Sequence, residues 1–242
     1  MAMPPMVNGC NVDPERLAPL RPCMESCGPE KPRDDWDQSC IHPQTVAYSC
    51  GRLAYPGGPN DHDHDPEELI RCRTLAAEAA DVIAGVEINL SEASSTLDAF
   101  FSTANRGDTA TELTPEVVRT TFGGTIYPSA KIIVEPFGER GLAWQNFVAI
   151  SPEEYANHPT VYGERLEAAV GNARREWQRR FELWRPFLDW FQSHQGLRSG
   201  SFVMVGDRDL SDQNFGCVFP RLVLGLTPAG SLVGVCGHAV HT

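Results

Sequence analysis

Lysine is almost missing. Lys31 and Lys131 are the only two in 242 residues, and arginine carries the rest of the positive charge. We read this as a compositional bias with no functional content. Positive charge is also scarce in total: 20 basic against 32 acidic side chains leave a formal net charge of −12. No basic surplus exists to displace counterions from a phosphate backbone, which argues against direct binding of nucleic acid. An acidic surface suits solubility, a basic protein partner, or imitation of a polyanion. Long apolar runs are missing too. None approaches the roughly 18 residues of a membrane span, so no spanning helix is expected. The opening Met1-Ala-Met-Pro-Pro-Met-Val7 lacks both the basic and the apolar segment of a secretory leader; a leader already removed would leave the same picture.

Catalytic signatures are equally scarce. Gly-x-Ser-x-Gly, a Walker loop, a dinucleotide fingerprint and His-Glu-x-x-His do not occur. An enzyme is therefore the least favoured class, and no cofactor is expected. The strongest enzymatic alternative is a metal-dependent hydrolase using His62, His64 or the His238/His241 pair. His42, His158 and His194 stand alone in the chain and read as surface or core residues.

Cysteine, by contrast, is plentiful. Six of the eight lie in the first third: Cys10, Cys23, Cys27, Cys40, Cys50 and Cys72. Such clustering suggests a disulfide-stapled segment, with too many possible pairings to deduce the connectivity. Zinc is disfavoured, because Cys23-x3-Cys27 is the only close pair and structural zinc sites usually show two. Localisation follows the cysteines: periplasmic or secreted if they pair and a leader was removed, otherwise cytoplasmic. Residues 1–65 are rich in Pro, Cys, Asp and Gly without a period, and read as an irregular arm.

Residues 66–242 read as one α/β domain. Asp61-His-Asp-His-Asp65 resembles a metal motif, but Pro66 and Glu67 occupy the positions where a dinuclear hydrolase needs Asp and His. A helix start explains it better: Asp65 as N-cap, Pro66 at N1, and Glu68 completing a capping box. The helix runs to about Ala84, with Leu69, Cys72, Ala76, Ala79 and Ile83 on one apolar face. Short strands are expected at Val86–Leu90 and Leu97–Phe101. Thr114-Pro-Glu starts a helix that ends near Phe122 at Gly123-Gly124, and Ser151-Pro-Glu starts another. Lys131–Glu135 and Asn146–Ile150 read as strands. A long helix spans roughly Glu164 to His194. Pro186 should kink or divide it, and Gly196 should cap it. Ser201–Gly206 is the next strand.

The last stretch organises the rest. Val218–Leu226 and Ser231–Cys236 are apolar runs around Thr227-Pro-Ala-Gly230, where Gly230 is free to take a positive φ. Runs apolar on both faces belong at the centre of a covered sheet. A hairpin regular about Pro228 and Ala229 sets Cys236 opposite Arg221. Cys217 then lies roughly 13 Å from Cys236, beyond the ~7 Å a disulfide spans, unless Pro220 bends the chain. The element order predicts an α/β (α+β) fold: a three-layer α/β/α sandwich with a mixed, largely antiparallel sheet, plus the Cys-rich arm.

Val205-Gly206, Gly225, Thr227-Pro-Ala-Gly230, Leu232-Val-Gly-Val235 and Thr242 together resemble the C-terminal third of the nuclease A inhibitor family. Ser91-Glu92, followed by Leu97 and Phe100, is similar to that family's Ser-Glu segment. The chain departs from the family in its Cys-rich arm, in extra sequence between residues 102 and 160, and in His238 and His241 near the end. The resemblance implies a non-enzymatic protein that blocks a sugar-non-specific, metal-dependent nuclease. It implies partner-binding roles for Thr242, His241 and Glu92, with the Thr242 carboxylate reaching the partner's magnesium. Hard carboxylate oxygens suit that ion, and an acidic inhibitor is steered toward a basic groove. The alternative is a secreted or envelope binding module that works through the Cys-rich arm.

Overall fold

The computed structural model describes residues 6–7, 10–11, 41–42, 44–55, 57, 65–89, 94–107, 110–128, 130–137, 166–206 and 218–240. Four short strands come first: β1 (Met6–Val7), β2 (Cys10–Asn11), β3 (Val46–Ala47) and β4 (Leu53–Ala54). They form two small antiparallel pairs, β1 with β2 and β3 with β4. The sequence placed these residues in the irregular arm. Ile41, Ala47 and Leu53 are nonetheless buried in the same cluster as the main sheet.

Helix α1 (Pro66–Val82) starts where its capping residues predict. The Asp65 carboxylate accepts the Glu67 N–H at 2.9 Å, and Pro66 fills the first turn, where no donor is needed. All five expected apolar positions, from Leu69 to Ile83, are buried. The expected capping box fails at one residue. Glu68 does not reach back to Asp65 but turns inward, only 5% exposed. Strands β5 (Glu87–Asn89), β6 (Ser94–Thr96) and β7 (Asp98–Ser102) follow. Helix α2 (Pro115–Phe122) opens on Thr114, whose hydroxyl accepts the Val117 N–H at 3.3 Å, and stops at Gly123 in left-handed backbone with φ 51°.

After β8 (Ile132–Pro136) comes α3 (Leu166–Ser193), then β9 (Arg198–Val205), β10 (Val218–Leu226) and β11 (Leu232–Val240). Of the two outcomes expected at Pro186, a division of α3 does not occur: the helix runs through it. Trp184, Phe187, Leu188 and Phe191 are buried on both sides of it, and their packing holds the helix through the missing hydrogen bond. Gly196 is not a left-handed cap either. Its N–H donates to His194 Nδ1 at 3.0 Å, and the Leu197 N–H to the His194 carbonyl at 3.1 Å. With Nδ1 an acceptor, His194 Nε2 carries the hydrogen and donates to Glu78 Oε2 at 2.9 Å, which ties α3 to α1. The helix expected from Ser151 and the strand expected at Asn146–Ile150 lie outside the described residues.

The main sheet has the order β7-β11-β10-β9-β8, with β10 and β11 near its centre. Every pair in it is antiparallel, so the sheet is not mixed. A single parallel bridge, Arg52 with Phe101, lies outside the named pairs. Alternate residues of each strand belong to different clusters. Phe101, Phe202, Met204, Val223 and Val235 pack with α1 and α3, while Phe100, Val203, Leu222, Leu224 and Cys236 pack with α2 and Ile41.

The β10–β11 register corrects the sequence expectation by one residue. Leu226 pairs with Leu232, so Cys236 faces Leu222 and Arg221 faces Gly237. The turn holds five residues, closed by the Thr227 N–H on the Ser231 carbonyl at 2.8 Å, with Gly230 at φ 86°. A second irregularity was not expected. Ser199 and Gly200 together oppose Gly225 where the β9–β10 register shifts, and Ser199 takes φ 55°.

Candidate functional site

Each end of the hairpin carries a set of polar contacts. At the turn, Glu68 is an acceptor for three donors. It receives the Thr227 hydroxyl in a short bond on Oε1, the Cys72 thiol on the same oxygen at 3.6 Å, and Arg71 Nη1 on Oε2 at 2.7 Å. Thr227 Oγ1 in turn accepts the Ser231 N–H at 3.0 Å, and the Ser231 hydroxyl accepts the Ala104 N–H at 3.1 Å. Burial pushes the Cys72 thiol well above its ordinary range; the Glu68 charge adds to this, and a hydrogen bond with Ser231 works against it. A raised thiol pKa disfavours the nucleophilic thiolate. The cluster joins a helix start to a strand turn.

The opposite end is built differently. Pairing of β10 with β9 stops at Arg221–Met204, because Pro220 has no N–H to donate. Pairing of β11 with β7 stops at Cys236–Asp98. The two strands nevertheless stay paired through Pro220–His238, Phe219–Ala239 and Val218–Val240. This two-stranded ribbon is braced from two sides. Ser95 of β6 accepts the His238 N–H at 3.1 Å, lies 3.2 Å from His238 Nδ1, and donates to the Thr96 carbonyl at 2.9 Å. With its one hydrogen given to Thr96, Ser95 Oγ receives a hydrogen from His238 Nδ1. On the other side, Tyr127 packs against Val218 and Val240.

Tyr127 belongs to an aromatic group that the sequence did not reveal. The His42 ring lies 4.3 Å from that of Tyr55 and 5.2 Å from that of Tyr127, centroid to centroid. Loss of solvent lowers the His42 pKa. Burial, followed by the proximity of Tyr55, raises that of Tyr127. Arg119 Nη1 donates to the Tyr127 carbonyl at 2.8 Å, and Arg119 Nη2 to that of Ala130, which fixes this segment to α2.

The residues named from the sequence fall unevenly on this picture. Glu92, His241 and Thr242 lie outside the described residues, as do His62, His64, Cys23, Cys27 and Cys40. His238 is at the ribbon, half-buried. Cys72, expected among the bridged cysteines, is a free thiol in the core, as is Cys236. It occupies the apolar face of α1, where a small hydrophobe fits. Cys50 is disulfide-bonded. Among the described residues, no three His, Cys, Asp or Glu side chains converge as metal ligands, and no helix is long and apolar enough to cross a membrane.

The residues that carried the family resemblance have structural reasons. A Cβ at Gly225 would stand 2.5 Å from Phe191 Cε1, and one at Gly234 only 1.8 Å from the Val223 carbonyl oxygen. These glycines let α3 and the neighbouring strand close in. No family model matches the chain, and no curated protein matches it in sequence.

Proposed function

We propose that the chain is a non-enzymatic protein-binding module that docks through the ribbon end of the β10–β11 hairpin. In this reading Thr242, His241 and Glu92 contact the partner, and the carboxylate of Thr242 engages a cation of the partner. A sugar-non-specific, metal-dependent nuclease is the partner class that the resemblance suggests. One observation carries the reading: the hairpin stays paired for three residue pairs beyond both of its sheet neighbours, braced by Ser95 and Tyr127. The antiparallel register of β11 with β7 also runs toward the β5–β6 turn as β11 runs toward the chain's end. The alternation of core residues supports a three-layer arrangement, with α1 and α3 on one side of the sheet and α2 on the other. The net charge of −12 suits approach to a basic groove.

The test is inhibition of a magnesium-dependent nuclease of this class by the full chain at saturating concentration. Deleting Thr242, or extending it with a tag, is expected to abolish inhibition, and Glu92→Gln to weaken it. Full inhibition by the shortened chain would end the carboxylate mechanism. Absence of inhibition by the intact chain would end the partner class.

A second reading has one observation in its favour. Cys50 is disulfide-bonded, which supports a secreted or envelope module working through its arm. Non-reducing mass mapping tests it: free thiols throughout the arm would remove it.

A further inference from the structure

We propose that His42 is a proton-sensitive wedge whose charging displaces Tyr127 from the β10–β11 ribbon. Its consequence for a partner rests on the reading above; the displacement itself does not. The argument begins with the neutral ring. His42 Nδ1 accepts the Gln44 N–H at 3.2 Å, so the ring hydrogen sits on Nε2. Protonation adds a hydrogen to Nδ1 and sets two donors against each other. It also charges a ring packed against two tyrosines, and loss of solvent already disfavours the cation there.

The backbone on either side cannot absorb the change. The His42 N–H bonds the Thr125 carbonyl at 2.6 Å, the His42 carbonyl accepts the Thr45 N–H at 2.9 Å, and Ile41 bridges Ile126. Arg119 holds the Tyr127 carbonyl from α2. Tyr55 packs against Gly124, where a Cβ would lie 3.0 Å from its ring, and its hydroxyl donates to Gln44 Oε1 at 3.5 Å. Tyr127 is the ring of the pair that also packs against Val218 and Val240, so a shift of it reaches the ribbon.

The groups around the ring favour the same outcome. Tyr55 and Tyr127 are the titratable side chains whose rings lie against it. The charged group tied to these segments is the Arg119 guanidinium, bonded to the Tyr127 carbonyl. His42 has no ion-pair partner among the described residues. The other histidine on the ribbon is His238, held by Ser95.

Nuclear magnetic resonance of the labelled full chain, from about pH 8 to about pH 5, tests the switch without any partner. The Val218 and Val240 amides and the Tyr127 ring are expected to shift with the midpoint of the His42 ring itself. His42→Phe keeps an aromatic ring and removes the proton site, and should leave those signals flat. Signals that ignore the His42 midpoint, or that still shift in His42→Phe with the midpoint of His238, would overturn the proposal. If His42→Phe does not fold, agreement or disagreement of the wild-type midpoints decides by itself. Failure of nuclease inhibition with a working switch would count against the partner reading alone.

Discussion

At its turn, the β10–β11 hairpin is gripped by a helix: Thr227 is bonded to Glu68 of α1, and Ser231 to the backbone after β7. At its other end, the same two strands run on for three pairs without their sheet neighbours, and one serine and one tyrosine brace them. The turn end is dry and charge-assisted, with Glu68, Thr227 and Ser231 all buried. The ribbon end mixes buried residues with the half-buried His238 and Val240. One hairpin therefore has one end bonded to a helix and one end held by a strand serine and a buried tyrosine.

Removing the anchor should have the largest effect. Glu68→Ala takes an acceptor from Thr227, Arg71 and Cys72 at once, and should lower the unfolding free energy by about 2–3 kcal/mol in urea titration. Glu68→Gln keeps an acceptor oxygen and should lose about 1 kcal/mol. A loss below that for the alanine variant would mean that the turn is held by its own closure and not by the helix.

Changing pH should separate the ends next. Cys72, at the turn, has a folded pKa raised well above the ordinary thiol value of 9.0. Its contribution is intact below that value and lost as pH rises toward the folded one, by up to about 1.4 kcal/mol per pH unit for one proton. His42, beside the ribbon, has a folded pKa below the ordinary histidine value of 6.5. The unfolded chain then takes up the proton first, so this contribution is intact above 6.5 and lost as pH falls toward the folded value. Hydrogen exchange resolved by residue should show the turn loosening in alkali and the ribbon in acid. Both ends loosening together at either extreme would break the contrast.

The smallest effect is expected at the ribbon brace. Ser95→Ala removes the acceptor for the His238 N–H and should cost about 0.5–1 kcal/mol of global stability. Its signature is local: the His238 and Val240 amides should exchange faster while those near Leu226 and Leu232 do not. Equal acceleration at both ends would mean that the hairpin moves as one body.

Much of the fold was legible in the sequence where the deciding physics is local. Asp65-Pro66 and Thr114-Pro115 start helices because a side-chain acceptor and a preset φ act within one turn. The apolar stripe of α1 and the two apolar strands are visible as periods. The resemblance was carried by glycines that pack, which is why it speaks to architecture before partner. What escaped is non-local. Glu68 sits where a capping box would use it, yet its partner Thr227 is 159 residues away. Ser95 and His238 are 143 residues apart, and no pattern links them. His42 looked isolated because Tyr55 and Tyr127 are brought to it only by folding.

The sequence by itself determined where α1 and α2 start, the central hairpin, the sign of the net charge, and that no apolar run reaches membrane length. Only the tertiary structure decided the hairpin's register, the inward turn of Glu68, and which end of the ribbon is braced by what. The physical reason is parity and distance. Strand side chains alternate with a period of two, so one residue in the turn exchanges faces. Composition cannot fix that residue, because it is chosen by a buried hydrogen bond to a helix far back in the chain.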